Sequence, residues 1–342
     1  MRKFLLTILR FVLIGTIPVL ILIVVYIKSD PFKVIYSYDE YYDVNDKGRV
    51  GLNKDYVSTA TFLNNVKRNK NYDSFIFGSS RSIFYHISNW KKHLPVNSNC
   101  FHFDASNETI YAMSKKVEFL DVKGVQIKNA LVVFDHGLLS QDKPKSGHLF
   151  AISPALVGNK NMISFQLTFF KAFLSTKFLR AYFDFKLSGE VKPYMRKSNL
   201  LDDTKWSYNI EMNELGLDYF EEQILKNEYY TPERISGFYE RENAKKTSSV
   251  CINENQKTML ASMKKIFEKH QTSYKIVISP LYDQLNLNEA DVNHLKMLFG
   301  EKNVFDFSGI NKFTNDYNNY YETSHYRPKV ANEIMDSLYK SE

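Results

Sequence analysis

Short apolar runs that stop abruptly at polar, turn-forming residues, with amphipathic stretches between them, predict an α/β chain. The expected architecture is a flavodoxin-like, mostly parallel sheet with helices on both faces. Two observations carry this. Residues 74–77, 100–103, 130–134, 274–278 and 304–307 read as strands, and 130–134 is apolar throughout, as in a strand buried on both faces. Between them, 109–123, 255–270, 288–299 and 328–339 repeat apolar residues at helical spacing, as Ile110, Met113, Val117 and Leu120 do. Strand, helix and strand at such distances imply right-handed crossovers, with any site beyond the carboxyl ends of the strands.

In chain order, residues 4–27 form an apolar stretch that exceeds the roughly 20 residues needed to span a bilayer core. Arg2, Lys3 and Arg10 precede its most apolar part. The positive-inside rule therefore predicts a single-pass cell-membrane anchor, with the N-terminus cytoplasmic and everything after Lys28 extracytoplasmic. A cleaved signal peptide is the competing reading. Against it, 25–31 offers no small-residue cleavage site, and the run exceeds the roughly 7–15 residues of a signal core. The organisation is thus 1–30 as cytoplasmic N-terminus and anchor, 31–71 as tether and leading helix (56–69), and 72–340 as the α/β domain, with 138–250 as an insertion.

At 342 residues with 44% hydrophobic content the chain has material for a large core. Its net charge of +7 is dispersed, without a long basic run, which argues against nucleic acid as a partner. No zinc spacing and no Gly-rich phosphate loop occurs, so neither metal nor cofactor is expected. Two cysteines, Cys100 and Cys251, exclude a disulfide framework. They fit one bridge or two buried thiols, and the place of Cys100 at the head of an apolar strand favours thiols.

Two stretches carry chemistry. In Phe75-Ile-Phe-Gly-Ser-Ser-Arg-Ser82 an apolar strand hands over at Gly78 to two hydroxyls, and a helix is expected over 81–92 whose first N–H groups face the turn. In Tyr321-Glu-Thr-Ser-His-Tyr-Arg-Pro328, Glu322 stands three residues before His325, ahead of a helix that Pro328 can start. A carboxylate at that spacing can hold one ring nitrogen and leave the other free to take a proton from a serine. Alone, either motif also fits an ordinary helix cap or surface loop.

Together they resemble the SGNH (GDSL-like) hydrolases, and more closely the membrane-anchored branches that serve polysaccharide O-acetylation and D-alanyl transfer. Gly78-Ser79-Ser80 stands for the Gly-Asp-Ser block and Glu322-Thr-Ser-His325 for the Asp-x-x-His block. The resemblance implies Ser80 as nucleophile, His325 as base and Glu322 as its orienter. Where the family has a glycine after its second strand, this chain has Asp104-Ala-Ser-Asn-Glu108; where it has Gly-x-Asn-Asp, this chain has Phe134-Asp-His-Gly137. Ser106, Asn107 and Arg81 are the candidates for oxyanion or substrate contact, and Asp135 and His136 are expected at the edge of the site. The resemblance implies a serine esterase or O-acyltransferase acting on acyl, above all acetyl, esters of a cell-surface polysaccharide. Its partners would be the bilayer, that polysaccharide and, for transfer, a membrane acyl-donor protein. The alternative is a non-catalytic SGNH-like module that binds glycan or scaffolds an envelope assembly.

Within the insertion, Met162, Phe165, Phe169, Phe173, Leu179, Tyr182 and Phe183 form an aromatic stripe, with Lys171, Lys177 and Arg180 on another face. The stripe fits a helix packed on a core. It also fits a lid that lies on the bilayer or covers an acyl group.

Overall fold

The computed structural model describes residues 1–43, 48–197, 200–242 and 244–340, and of residues 2, 3, 5, 6, 8, 9, 11–13 and 197 only the backbone. Arg2 and Lys3, which set the expected orientation of the N-terminal span, thus have side chains outside the described residues. The chain divides into two compact units: 1–52 with 147–149 and 161–204, and 53–146 with 150–160 and 205–342.

The larger unit is an α/β sandwich around five strands: β1 (Ser74–Gly78), β2 (Cys100–His102), β3 (Asn129–Phe134), β4 (Ser273–Ile278) and β5 (Val304–Asp306). All neighbours run parallel in the order β2-β1-β3-β4-β5. Numbered along the chain this is 2-1-3-4-5, a doubly wound order whose switch point lies between β1 and β3. Alternate residues feed two cores. Phe75, Phe77, Val132 and Ile276 join one cluster with Met113, Val117, Leu260 and Phe267. Ile76, Leu131, Val133 and Val277 join the other with Trp90, Val330, Ile334 and Leu338. Period-two alternation in strands clad on both faces explains why β1 and β3 are buried throughout.

Helices α1 (Arg2–Ser29), α2 (Lys54–Lys67), α3 (Ile110–Val122), α4 (Met162–Phe173), α5 (Thr176–Ser188), α6 (Asp218–Leu225), α7 (Glu254–His270), α8 (Glu289–Phe299) and α9 (Pro328–Tyr339) follow the expected stretches closely where the pattern was regular. The Thr109 hydroxyl accepts the Ala112 N–H at 3.0 Å and so starts α3. Gly124, at φ 71°, follows its end.

The helix expected over 81–92 is absent. Ser80–Phe84 is a 3-10 turn, Ile87–Trp90 one α-turn, and Lys91–His93 another 3-10 turn. Ile83, Phe84, Tyr85, Ile87 and Trp90 are all buried. A single helix would turn part of that set to solvent, whereas the broken path buries all of it. Cys100 and Cys251 are buried free thiols.

In the smaller unit the head of the segment expected as a tether, 31–36, is pinned to the end of α1, while 44–47 lie outside the described residues. Asp30 ends α1 in the left-handed region, and its carboxylate accepts the N–H groups of Val34, Ile35 and Tyr36. Phe32 is fully buried, with its ring 4.9 Å from Phe178 and 5.5 Å from Phe169. The aromatic stripe of the insertion breaks at Ser175, whose hydroxyl caps α5. Of the stripe, Phe165, Phe169, Phe173 and Tyr182 are buried within this unit, as is Phe178, whereas Met162 and Phe183 are exposed. Residues 205–250, in contrast, belong to the larger unit. Among the described residues no helix is long and apolar enough to cross a membrane.

Candidate active site

Ser80 follows β1, and Asp135 follows β3, so both sit at the switch point that the strand order creates. Gly78 has an unexceptional φ, and close packing explains its glycine: an added Cβ would lie 2.5 Å from Ser82 Cβ and 3.1 Å from Val133 Cβ. The turn is pinned from below. Ser82 donates its hydroxyl to the Ser79 carbonyl at 2.8 Å, and His102 Nε2 lies 3.1 Å from the same Ser82 oxygen. Since that hydroxyl proton is committed to Ser79, His102 must carry its proton on Nε2. Burial pushes the His102 pKa down to about 4, so the ring is neutral at pH 7.

His325 lies on a small antiparallel hairpin, Tyr320–Glu322 against His325–Tyr326, in which Glu322 pairs directly across from His325. Cross-strand opposition is therefore what brings an E-x-x-H pair into contact. The Glu322 carboxylate holds His325 Nδ1, and its second oxygen accepts the Ser324 N–H at 2.7 Å. Partial desolvation alone would raise the Glu322 pKa, but the hydrogen bonds from His325 and Ser324 bring it below the usual value. An ionised carboxylate can only accept, so Nδ1 carries the proton and Nε2 the lone pair. The Ser80 hydroxyl donates to that Nε2 at 2.8 Å.

Arg81, a substrate-contact candidate, is already engaged. Its Nη1 pairs with Asp135 at 2.7 Å, and its Nε donates to the Ser324 carbonyl at 3.1 Å. Burial alone would lower the Arg81 pKa, and Asp135, with smaller contributions from Tyr326 and Asp283, more than reverses that. Arg81 thus ties the serine turn to the end of β3 and to the turn of the histidine hairpin. Asp135 also accepts the Leu138 N–H at 3.0 Å and the Ser79 hydroxyl at 3.4 Å.

A cavity of about 440 Å³ opens above these groups, lined among others by Ser80, Asn107, His136, Asp283 and His325. Asn107 is in the left-handed region at φ 53°, and Lys145 donates to its Oδ1 at 2.6 Å. The amide is thereby oriented with its N–H₂ end available as a donor. Ser106 does not line the cavity, so of the two candidates on this loop the structure puts only Asn107 there. His136 lines it too, and its buried Nε2 has no hydrogen-bond partner among the described residues. Beneath the loop, Glu108 and Asp55 both pair with the fully buried Lys116. Burial pushes the Glu108 carboxyl up to about 7 despite that partner.

The sequence matches no protein-family model, and no curated protein matches it.

Residues 205–250 hold the histidine hairpin from outside. Glu221 on α6 accepts both Nε and Nη2 of Arg327, at 2.9 and 2.8 Å, and the Tyr321 hydroxyl at 2.6 Å. Tyr229 and Tyr230 donate to the carbonyls of Tyr321 and Tyr320. These positioning residues were not found from the sequence, where about a hundred residues separate the partners and neither end has a motif. The one available signal was Arg327 itself, two residues beyond the histidine. Among the described residues no group of three or more metal-ligating side chains is assembled.

Proposed function

We propose that the protein is a membrane-anchored, extracytoplasmic serine esterase or O-acyltransferase of the SGNH type, acting on acetyl or related acyl esters of a cell-surface polysaccharide. One observation carries the catalytic part: the Ser80 hydroxyl is 2.8 Å from a His325 nitrogen whose ring partner is Glu322. In the reaction, Ser80 Oγ bonds to the acyl carbon as its proton passes to His325 Nε2. Asn107 Nδ2 and the Ser80 N–H serve the resulting oxyanion. Collapse expels the sugar oxygen, which takes the proton from Nε2 and leaves an acyl-serine. Water or another sugar hydroxyl, deprotonated by Nε2, then attacks the acyl carbon and frees Ser80. Hydrolysis and transfer differ only in this acceptor.

The anchor rests on the apolar sequence of residues 4–27, part of whose side chains lie outside the described residues and which exceeds the roughly 20 residues that span a hydrocarbon core. Its Ile14, Ile17, Leu20, Ile21, Val24 and Ile27 are exposed to solvent. The doubly wound strand order supports the SGNH reading at the level of fold, and the Ser80–His325–Glu322 contacts support it at the level of the site.

The test is steady-state turnover of an aryl acetate by the full chain in detergent. Ser80→Ala and His325→Ala should each abolish turnover without lowering the melting temperature, and the double variant should be no worse than either. Glu322→Gln should retain part of it, since nucleophile and base persist. Wild-type turnover by Ser80→Ala would refute the assignment, and release of the chain from membranes by a high-salt wash would refute the anchor.

A further inference from the structure

α4 is apolar on two faces, and among the described residues only one of them is covered within its unit. Phe165, Phe169 and Phe173 are buried. Ile163, Leu167 and Leu174 fall on a second stripe, at helical spacings of four and seven residues, and stay exposed: Ile163 by 78%, Leu167 by 60% and Leu174 by 37%. A stripe of this kind on a water-facing helix marks a surface that meets an apolar phase. Two further observations say which phase. The stripe is continuous with α1: half-buried Phe170, lying between Leu167 and Leu174, packs its ring in a tilted contact 5.2 Å from that of Tyr26, near the C-terminal end of α1. The charge nearby is also mainly positive: α4 carries Lys171 and no carboxylate, and α5 adds Lys177 and Arg180 against a single acid, Asp184, which Lys192 already holds at 2.6 Å.

We propose that α4 lies in the headgroup region of the bilayer where α1 leaves it, with Ile163, Leu167 and Leu174 immersed and the three cations facing anionic lipid. This rests on the reading of α1 as a membrane anchor. A surface-lying amphipathic helix buries its apolar face roughly 5–10 Å below the headgroups, and nearby cations strengthen its hold on anionic lipid. The unit would then be fixed against the membrane by two elements rather than tethered through one.

The experiment places single tryptophans in the full chain, reconstituted in vesicles of phosphatidylcholine and phosphatidylglycerol, with the wild-type emission of Trp90 and Trp206 subtracted. Leu167→Trp and, independently, Ile163→Trp should emit to the blue of an exposed tryptophan and be quenched by lipids brominated close to the headgroup. Ile17→Trp, within α1, should be quenched by lipids brominated deep in the chains. Quenching at Ile17→Trp with water-like, unquenched emission at both α4 positions overturns the proposal alone. Absence of quenching at all three overturns the anchor as well. A blue shift at α4 without bromolipid quenching assigns the stripe to a second protein copy and also overturns the proposal.

Discussion

Asp135→Asn should damage the serine turn in a way that can be sized from the contacts. One Asp135 oxygen caps the turn at Leu138, while the other takes Arg81 at 2.7 Å and Ser79 at 3.4 Å. An amide cannot do both. With its oxygen on Leu138 its N–H₂ meets the guanidinium donor to donor, and with its oxygen on Arg81 the cap is lost. Removing one partner of a buried pair costs about 3–5 kcal/mol. Asp135 is 3% exposed but Arg81 is 24% exposed, so water recovers part of the loss, leaving roughly 2–3 kcal/mol. For a unit of this size that is a fall of about 5–10 °C in Tm. Because Arg81 also holds the Ser324 carbonyl, the Ser80–His325 alignment should loosen, and displacement by about 1 Å can cost on the order of 100-fold in rate. Calorimetry and aryl acetate turnover should therefore show a lower Tm and a kcat reduced about 10–100-fold with KM little changed. Adding Arg81→Met, which removes the stranded charge, should restore much of the Tm but not kcat. A melting curve and a kcat both identical to wild type would refute the reasoning.

Exchange of Phe169 and Phe173 for serine should unfold the smaller unit. Both rings are fully buried, and losses of about 3–5 kcal/mol each approach the whole stability of a typical domain. Limited proteolysis should cut within 161–204 in this variant, while Leu167→Ser stays resistant. Acid should also destabilise the larger unit through His102. Its folded pKa, lowered by burial from 6.5 to about 4, means that between those values the unfolded chain binds a proton the folded chain refuses. The associated stability is complete above pH 6.5 and falls as the pH drops towards 4, by at most about 3 kcal/mol. His102→Gln, which keeps a donor for Ser82, should flatten the Tm profile over that window, and an unchanged profile would count against the account.

What the sequence made legible is the part carried by local pattern. β1 and β3 are continuous apolar runs whose ends are marked by Gly78 and by Asp135, and Glu322 reaches His325 because both lie on one tight hairpin. The helix expected over 81–92 was illegible because burial of Ile83, Phe84, Tyr85, Ile87 and Trp90 from several sides overrides helical period. That Asn107 and not Ser106 borders the cavity was illegible because both lie on one loop without a periodic pattern. Nor could the Arg81–Asp135 and Glu221–Arg327 pairs be read, since only the folded chain brings together residues 54 and 106 positions apart. The insertion over 138–250 looked like one piece. Phe165, Phe169 and Phe173 of its stripe are buried in the smaller unit, while Glu221, Tyr229 and Tyr230 brace the His325 hairpin of the larger.

The central claim, an activated serine at residue 80, is tested most directly by treating the full chain with a fluorophosphonate and locating the adduct by peptide mass spectrometry. The account predicts a single adduct on Ser80, absent in Ser80→Ala and strongly reduced in His325→Ala. A wild-type protein that is folded by its melting curve yet never labelled, or labelling that survives Ser80→Ala unchanged, would contradict it and favour a non-catalytic, glycan-binding role for the fold.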